Sequence, residues 1–216
     1  MKNECTAYRT VREIKTQVRN PNRKTVIFDD GSFIGISEEL FFSNSVHVGD
    51  ELSLDKIEEL TYSEQNQKLK NYALKLLSYR MRSRAELKQR LLQKDFPDVD
   101  VEQLLSDFEK KNYLNDAEFA FAFSRDKVKN KGIGPLALKS ELFPFKLNAE
   151  MVENTVAKIY SEYSIDSLLE SHLKKRKIKK NTHLLGNEKN RLLQFLYRKG
   201  FSWEDISRLM QKHNIS

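Results

Sequence analysis

Between Tyr79 and Phe96 the chain reads YRMRSRAELKQRLLQKDF, in which Arg82, Arg84, Lys88, Arg90 and Lys94 surround two leucines one helical turn apart, Leu87 and Leu91. A second run, KKRKIKK, places Lys174, Lys175, Arg176, Lys177, Lys179 and Lys180 within seven positions. Guanidinium and ammonium groups at this density do one kind of chemistry: they hold phosphates or carboxylates by charge-assisted hydrogen bonds. Six cations in seven positions repel one another unless an anion lies among them, so this run points to a polyanion more strongly than the stretch at 79–96 does. If all six met phosphates, log K against log salt would fall with a slope of about −5. The alternative reading of either cluster is a solvated face, and for any single Arg that is the ordinary one. The argument for binding rests on the clusters.

Residues that could carry catalysis are not arranged to do so. The single cysteine, Cys5, cannot form an intramolecular disulfide, and a catalytic thiol there would need partners. The four histidines, His47, His172, His183 and His213, are scattered, with no i,i+4 pair and no Cys/His cluster. The segment KGIGP, Lys131 to Pro135, has too few glycines for a phosphate loop and lacks the Lys-Ser/Thr that follows one. Carboxylates are plentiful, but no pair stands out. A non-catalytic protein without cofactor or metal is expected.

The 216 residues suffice for one large domain or several small ones, and 39% hydrophobic with 32% charged residues suits a polar, folded protein. No run of about 18 apolar residues occurs, and the opening MKNECTAYRTVREIKTQ has no apolar core, so neither a membrane span nor a secretory signal is expected and the cytoplasm is the default location. The net charge of +7 is unevenly spread. Residues 1 to 66 carry 8 basic and 12 acidic residues, 67 to 165 carry 18 and 14, and 166 to 216 carry 12 and 5. A chain acidic at one end and basic at the other suits contact with a polyanion or an acidic protein surface.

The elements that would position these groups follow from periodicity. Residues 11 to 50 read as strands: Ile14, Thr16 and Val18 alternate with polar residues, Asn20-Pro21-Asn22 makes a turn, Val26 and Phe28 lead into Asp29-Asp30-Gly31, and Phe33 to Ile36 resumes the pattern before Gly49-Asp50. From about Ser53 the pattern is helical. A shift of 51 residues superposes Leu87, Leu91, Phe96, Val101 and Leu105 on Leu138, Leu142, Leu147, Val152 and Val156, and a shift of 105 gives Leu192, Leu196, Phe201, Ile206 and Met210. Each repeat reads as three helices, the first ones spanning Lys68 to Arg80, Ala117 to Lys129 and Asp166 to Ile178. The expected fold is mainly α, a tandem array of three three-helix, helix-turn-helix-like repeats after a small β-rich module. The expected boundaries are 1–62, 63–115, 116–165 and 166–216. Five or six buried side chains per repeat, at roughly 1.5 to 3 kcal/mol each, barely offset ordering entropy, so the repeats must lean on their neighbours in an elongated array. Helix-turn-helix packing suggests duplex reading, but the last helices, DVDVEQLLSDFEKK and NAEMVENTVAKIYSEY, carry carboxylates that phosphates would repel.

Three stretches resemble one family. ALKLLSYRMRSRAELKQRLLQKDF (73–96), with Arg80, Ser83, Glu86 and Leu87, is similar to the opening repeat of the RecX family of bacterial regulators of the RecA recombinase. YLNDAEFAFAF (113–123), followed by GPLALKSEL, is similar to the start of its second repeat, and RLLQFLYRKGFSWEDISRLM (191–210) to the end of its last. The likeness covers about residues 68 to 216; it departs from the family pattern where Lys146 replaces a usual Gly and Phe143-Pro144 intrudes. The resemblance implies a monomeric, non-catalytic modulator lying in the groove of the RecA–single-stranded DNA filament and limiting its growth, ATP hydrolysis and strand exchange. Its contacts would be Arg80, Arg82, Arg84, Lys88, Arg90 and Lys94, with Lys174, Lys175, Arg176, Lys177, Lys179 and Lys180. Two readings stand beside it: a direct single-strand binder acting without RecA, for which Phe119, Phe121, Phe123 and Tyr160 sit at core spacing and make poor stacking platforms, and a duplex-binding transcription regulator.

Overall fold

The computed structural model describes residues 7–215, so Cys5 lies outside the described residues. The chain divides into two compact units, one holding the sheet, the following helix to Ser78 and residues 94–101, the other Tyr79–Gln93 and everything from Glu102.

In the first unit, strands β1 (Tyr8–Gln17), β2 (Asn20–Phe28), β3 (Phe33–Ser37) and β4 (Glu51–Ser53) form an antiparallel sheet of order β3-β2-β1-β4. Alternation turns Val11, Val26, Phe28 and Ile36 into the core, each at most 1% exposed. The second expected turn forms, with Gly31 at φ 83. The first does not. The chain reverses at Val18-Arg19, and Pro21 lies inside β2, where the ladder jumps from Thr16–Lys24 to Gln17–Asn20. The bulge frees Pro21 from a ladder donor it cannot supply. A short helix α1 (Glu38–Ser43), N-capped by Ser37, interrupts the segment read as strands, six residues being too few to display a helical period.

Helix α2 (Leu54–Tyr79) starts where the helical pattern starts. Its Glu64 is only 3% exposed and holds α2 on the sheet: it accepts from the Arg23 guanidinium and, at 2.7 Å, from Ser37 N–H, while Arg23 also donates to the Gly35 carbonyl at 3.0 Å. A buried carboxylate is tolerated only when paired in this way.

The remaining helices are α3 (Arg84–Leu92), α4 (Asp98–Lys110), α5 (Asp116–Lys131), α6 (Pro135–Leu142), α7 (Ala149–Glu162), α8 (Ile165–Lys175), α9 (Gly186–Arg198) and α10 (Trp203–Lys212). Of the fifteen apolar positions that recur at shifts of 51 and 105, all are buried except Phe96, Leu147 and Val152, which are half-buried. The turn between middle and last helix recurs as well: Asp95, Lys146 and Gly200 occupy equivalent positions, and all are left-handed, with φ of 59, 53 and 86°. Lys146 therefore adopts the conformation that glycine favours, and Phe143–Phe145 forms a 3-10 turn just ahead of it. Phe119 and Phe123 pack edge-on against Phe145, and the Tyr160 hydroxyl donates to the Ile133 carbonyl at 2.8 Å, so these four aromatics belong to the core of the repeat, whereas Phe143 is exposed.

The segment KGIGP joins the second repeat to the third. Gly134 N–H donates to the Lys199 carbonyl (2.7 Å), Leu136 N–H to the Gly200 carbonyl (3.0 Å), and Lys199 Nζ to the Lys131 carbonyl (3.0 Å). A Cβ on Gly134 would lie 2.4 Å from the Gly200 oxygen, and one on Gly200 2.2 Å from the Ala137 nitrogen. The two backbones touch because both residues lack side chains. His172 closes the joint, Nε2 lying 2.6 Å from the Gly132 carbonyl and its ring edge-on to Phe195 and Phe201.

Candidate nucleic-acid interface

The cations of the first repeat are largely matched by carboxylates. Arg80 and Arg82 both donate to Glu86. Arg84 bonds Glu102 (2.6 Å) and Glu109 (3.1 Å), and Lys88 also reaches Glu102. Hydrogen bonds from Arg84 and Lys88 hold the Glu102 carboxyl down to about 2, and the same carboxylate raises the Arg84 guanidinium. Arg84 N–H donates to Asp116 (2.7 Å), whose carboxyl is raised by burial. The acidic character of α4 thus serves the helix beside it. Arg90 and Lys94 are exposed and make no ion pair among the described residues.

The third-repeat run is built differently. Helix α8 stops at Lys175, short of the expected Ile178, in a Schellman turn: Lys177, at φ 60, donates to the Lys174 carbonyl, and Ile178 N–H donates to the Leu173 carbonyl, both at 3.0 Å. Ile178 packs into the core of the repeat, which turns the flanking residues outward. Lys174, Lys175, Arg176, Lys177, Lys179 and Lys180 are all exposed, and among the described residues none makes an ion pair. Lys174 and Lys175 end a helix whose C-terminal dipole favours them. Arg176 lies over the Phe195 ring, 3.8 Å from its centroid, which fixes the plane of the guanidinium and leaves its N–H groups available. Asn181, next after Lys180, is pinned to the end of α10, its N–H donating to the His213 carbonyl (2.9 Å) and its side-chain oxygen accepting from Asn214 (3.2 Å).

The repeat register extends to polar residues. At a shift of 51, Lys88 and Glu102 become Lys139 and Glu153, which again pair, at 2.6 Å. At a shift of 105 they become Leu193 and Ser207, and Arg84 becomes Lys189. Leu92, Gln93 and Asp98 become Tyr197, Arg198 and Trp203. The middle-helix and last-helix groove thus occurs three times. In the first repeat it is an open cleft of about 860 Å³ lined by Arg84, Lys88 and Glu102 together with Pro144, Phe145 and Lys146; in the second, about 450 Å³ with Lys139, Phe143 and Glu153. In the third, clefts of about 530 and 330 Å³ flank Trp203. Tyr197, Trp203, Lys189 and Arg198 escaped the reading of basic runs because they are spread along two helices; extending the apolar register to the positions between would have found them.

Profile comparison places the RecX first three-helix domain on residues 70–108 and the RecX third three-helix domain on 162–210. Regulatory protein RecX of Bacillus subtilis (strain 168) is 30% identical over 205 residues, covering 94% of this chain and 76% of that protein. The chain belongs to the RecX family. Regulatory protein RecX of Bacillus velezensis is 28% identical over 205 residues, with the same coverage. A crystal structure of regulatory protein RecX matches with a TM-score of 0.70 at 20% identity, over 94% of this chain and 99% of that one. RecX from Lactobacillus salivarius matches with a TM-score of 0.60 at 22% identity, over 70% and 98%. At these identities the solved RecX structures establish the fold: a four-stranded sheet followed by three-helix domains. In that fold Lys146 is a side-chain difference at a turn whose backbone is unchanged in form from the equivalent turns at Asp95 and Gly200.

Proposed function

We propose that this RecX-family chain is a non-catalytic modulator, mainly an inhibitor, of the RecA recombinase. It lies in the groove of the RecA–single-stranded DNA filament as a cytoplasmic monomer and limits filament extension, ATP hydrolysis and strand exchange. The observation that carries the reading, together with family membership, is the exposed third-repeat run Lys174 to Lys180, which has no carboxylate partner among the described residues. Six such cations are suited to phosphates or to an acidic protein face. Within the proposed contact set these six contribute most; Arg80, Arg82, Arg84 and Lys88 contribute after giving up carboxylates they already hold, and Arg90 and Lys94 lie between. The division into a β-module (1–62) and repeats at 63–115, 116–165 and 166–216 belongs to the same proposal.

The test is the steady-state ATPase rate of RecA on single-stranded DNA with this protein titrated from sub-stoichiometric to equimolar. A fall at ratios well below one per RecA is expected, and replacing all six cations of the run by Gln removes it. An unchanged ATPase rate at equimolar protein, with binding to bare DNA retained, would overturn the RecA reading in favour of a direct nucleic-acid binder.

A further inference from the structure

The two clefts beside Trp203 differ in chemistry from three other clefts of the helical repeats. The equivalent grooves of the first two repeats contain Glu102 and Glu153, and the cleft between α5 and α7 contains Glu150. Among the described residues, no carboxylate lines either cleft beside Trp203. Tyr197 is 50% and Trp203 52% exposed, and both line the larger cleft with Arg198, Asn190 and Gln194; Lys189, Ser207, Gln211 and Asn214 line the smaller. The nearest acidic residues in sequence are turned to helix ends: Glu188 accepts from Leu185 N–H (3.3 Å), and Asp205 accepts from the Ser202 hydroxyl (2.8 Å). Glu204 is held low by its own N–H and by Ser202.

We infer that the α9–α10 face of the third repeat is a base-stacking site for single-stranded nucleic acid, with Trp203 and Tyr197 as the platform and Arg198 and Lys189 taking the adjoining phosphates. The inference deepens the proposed function and rests on its polyanion reading. Half-exposed aromatic faces receive bases of any sequence, side-chain amides meet base edges without imposing one, and cleft walls without a described carboxylate reduce repulsion of the backbone. The site is also joined to the basic run. Asn214 lines the smaller cleft and holds Asn181, the residue after Lys180. A strand bound along Lys174 to Lys180 therefore arrives beside Trp203, its phosphates on the run and its bases on the platform. An acidic protein segment would use the cations but gain nothing from an aromatic pair flanked by amides.

Trp203 is the only tryptophan in the chain, so its emission reports this face alone. The full-length protein is titrated with a thymidine oligonucleotide while binding is followed independently by anisotropy of the labelled oligonucleotide. Saturating quenching that tracks the anisotropy is expected, with no quenching by inorganic polyphosphate. Trp203→Ala is expected to weaken binding about tenfold with helical content unchanged, and Trp203→Phe to retain most of it. Binding without quenching, equal quenching by polyphosphate, or unaltered affinity in Trp203→Ala would overturn the stacking site. In each of those cases the RecA reading stands if the ATPase effect persists. No oligonucleotide binding at all would remove both the stacking site and the nucleic-acid reading of the basic run.

Discussion

In the first repeat Arg84 and Lys88 meet Glu102 across the groove between α3 and α4; in the third, Lys189 stands opposite Ser207, and Leu193 occupies the place of Lys88. Both grooves are built on the same buried positions, Leu87, Leu91 and Leu105 in one and Leu192, Leu196 and Met210 in the other. The scaffold is held constant while the charge is redistributed. The comparison teaches that a count of Arg and Lys locates basic residues but not available ones: cations whose carboxylates are within 3 Å are already neutralised, and a partner must displace that bond before it gains anything. By this measure the helix at 84–92 is neutralised at Arg84 and Lys88 and open only at Arg90, and the larger open positive surface lies at residues 174–180.

The comparison is broken most severely by replacing Lys174, Lys175, Arg176, Lys177, Lys179 and Lys180 with Gln. Affinity for a single-stranded oligonucleotide is expected to fall by about 10³ at moderate salt and the slope of log K against log salt to flatten by about 4. Titration of Arg90→Gln/Lys94→Gln beside it should change the slope by about 1 or less.

A second difference lies in the turns, where only the third repeat has glycine at the left-handed position because only that turn packs on Ala137. Gly200→Ala should cost about 3 kcal/mol or more in denaturant unfolding, since it adds both a clash and an unfavourable φ. At the equivalent but uncrowded turn, Lys146→Gly should stabilise by up to about 1 kcal/mol. If Gly200→Ala proved neutral, the joint as described would be wrong.

Exchanging the groove chemistry is the sharper and smaller test. Ser207→Glu should restore a carboxylate opposite Lys189 and weaken oligonucleotide binding several-fold. Glu102→Gln should release Lys88 and leave Arg84 on Glu109 alone, steepen the salt slope by about 1, and lower stability by about 1 kcal/mol, because the groups are only half-buried.

The smallest effect concerns pH. Burial, and then repulsion from Lys199, Lys175 and Arg176, lowers the His172 pKa below 6.5, partly opposed by its bond to Gly132. The unfolded chain therefore binds the proton first. Stability contributed by neutral His172 is complete above about pH 6.5 and is lost as pH falls below it, by at most about 1.4 kcal/mol per pH unit. His172→Gln should flatten that part of the stability profile.

Much of this was legible in the sequence. The fifteen apolar positions are spaced by helical period, and period survives any choice of surface residues, so the three-helix repeats and their core could be read directly. The strands could be read from alternation, whereas α1 and the Val18-Arg19 reversal could not, because a six-residue helix shows no period and Pro21 inside a bulge imitates a turn. KGIGP is unfit for phosphate by its own residues, but its use as a joint depends on Gly200, some 65 residues away, and no local pattern carries that. The candidate site was half legible. The run at 174–180 stands out by density, whereas the neutralisation of Arg84 and Lys88 depends on Glu102 and Glu109 in another helix, and the Trp203 cleft becomes visible only when polar positions are compared between repeats.

The central claim is that nucleic-acid contact is made chiefly by the open third repeat, ahead of the ion-paired first. Amide hydrogen exchange of the full-length protein, with and without a single-stranded oligonucleotide, tests it directly. Protection strongest at residues 174–181 and at α9 and α10 is the predicted result; protection centred on α3 and α4, with the third repeat unchanged, would contradict the account.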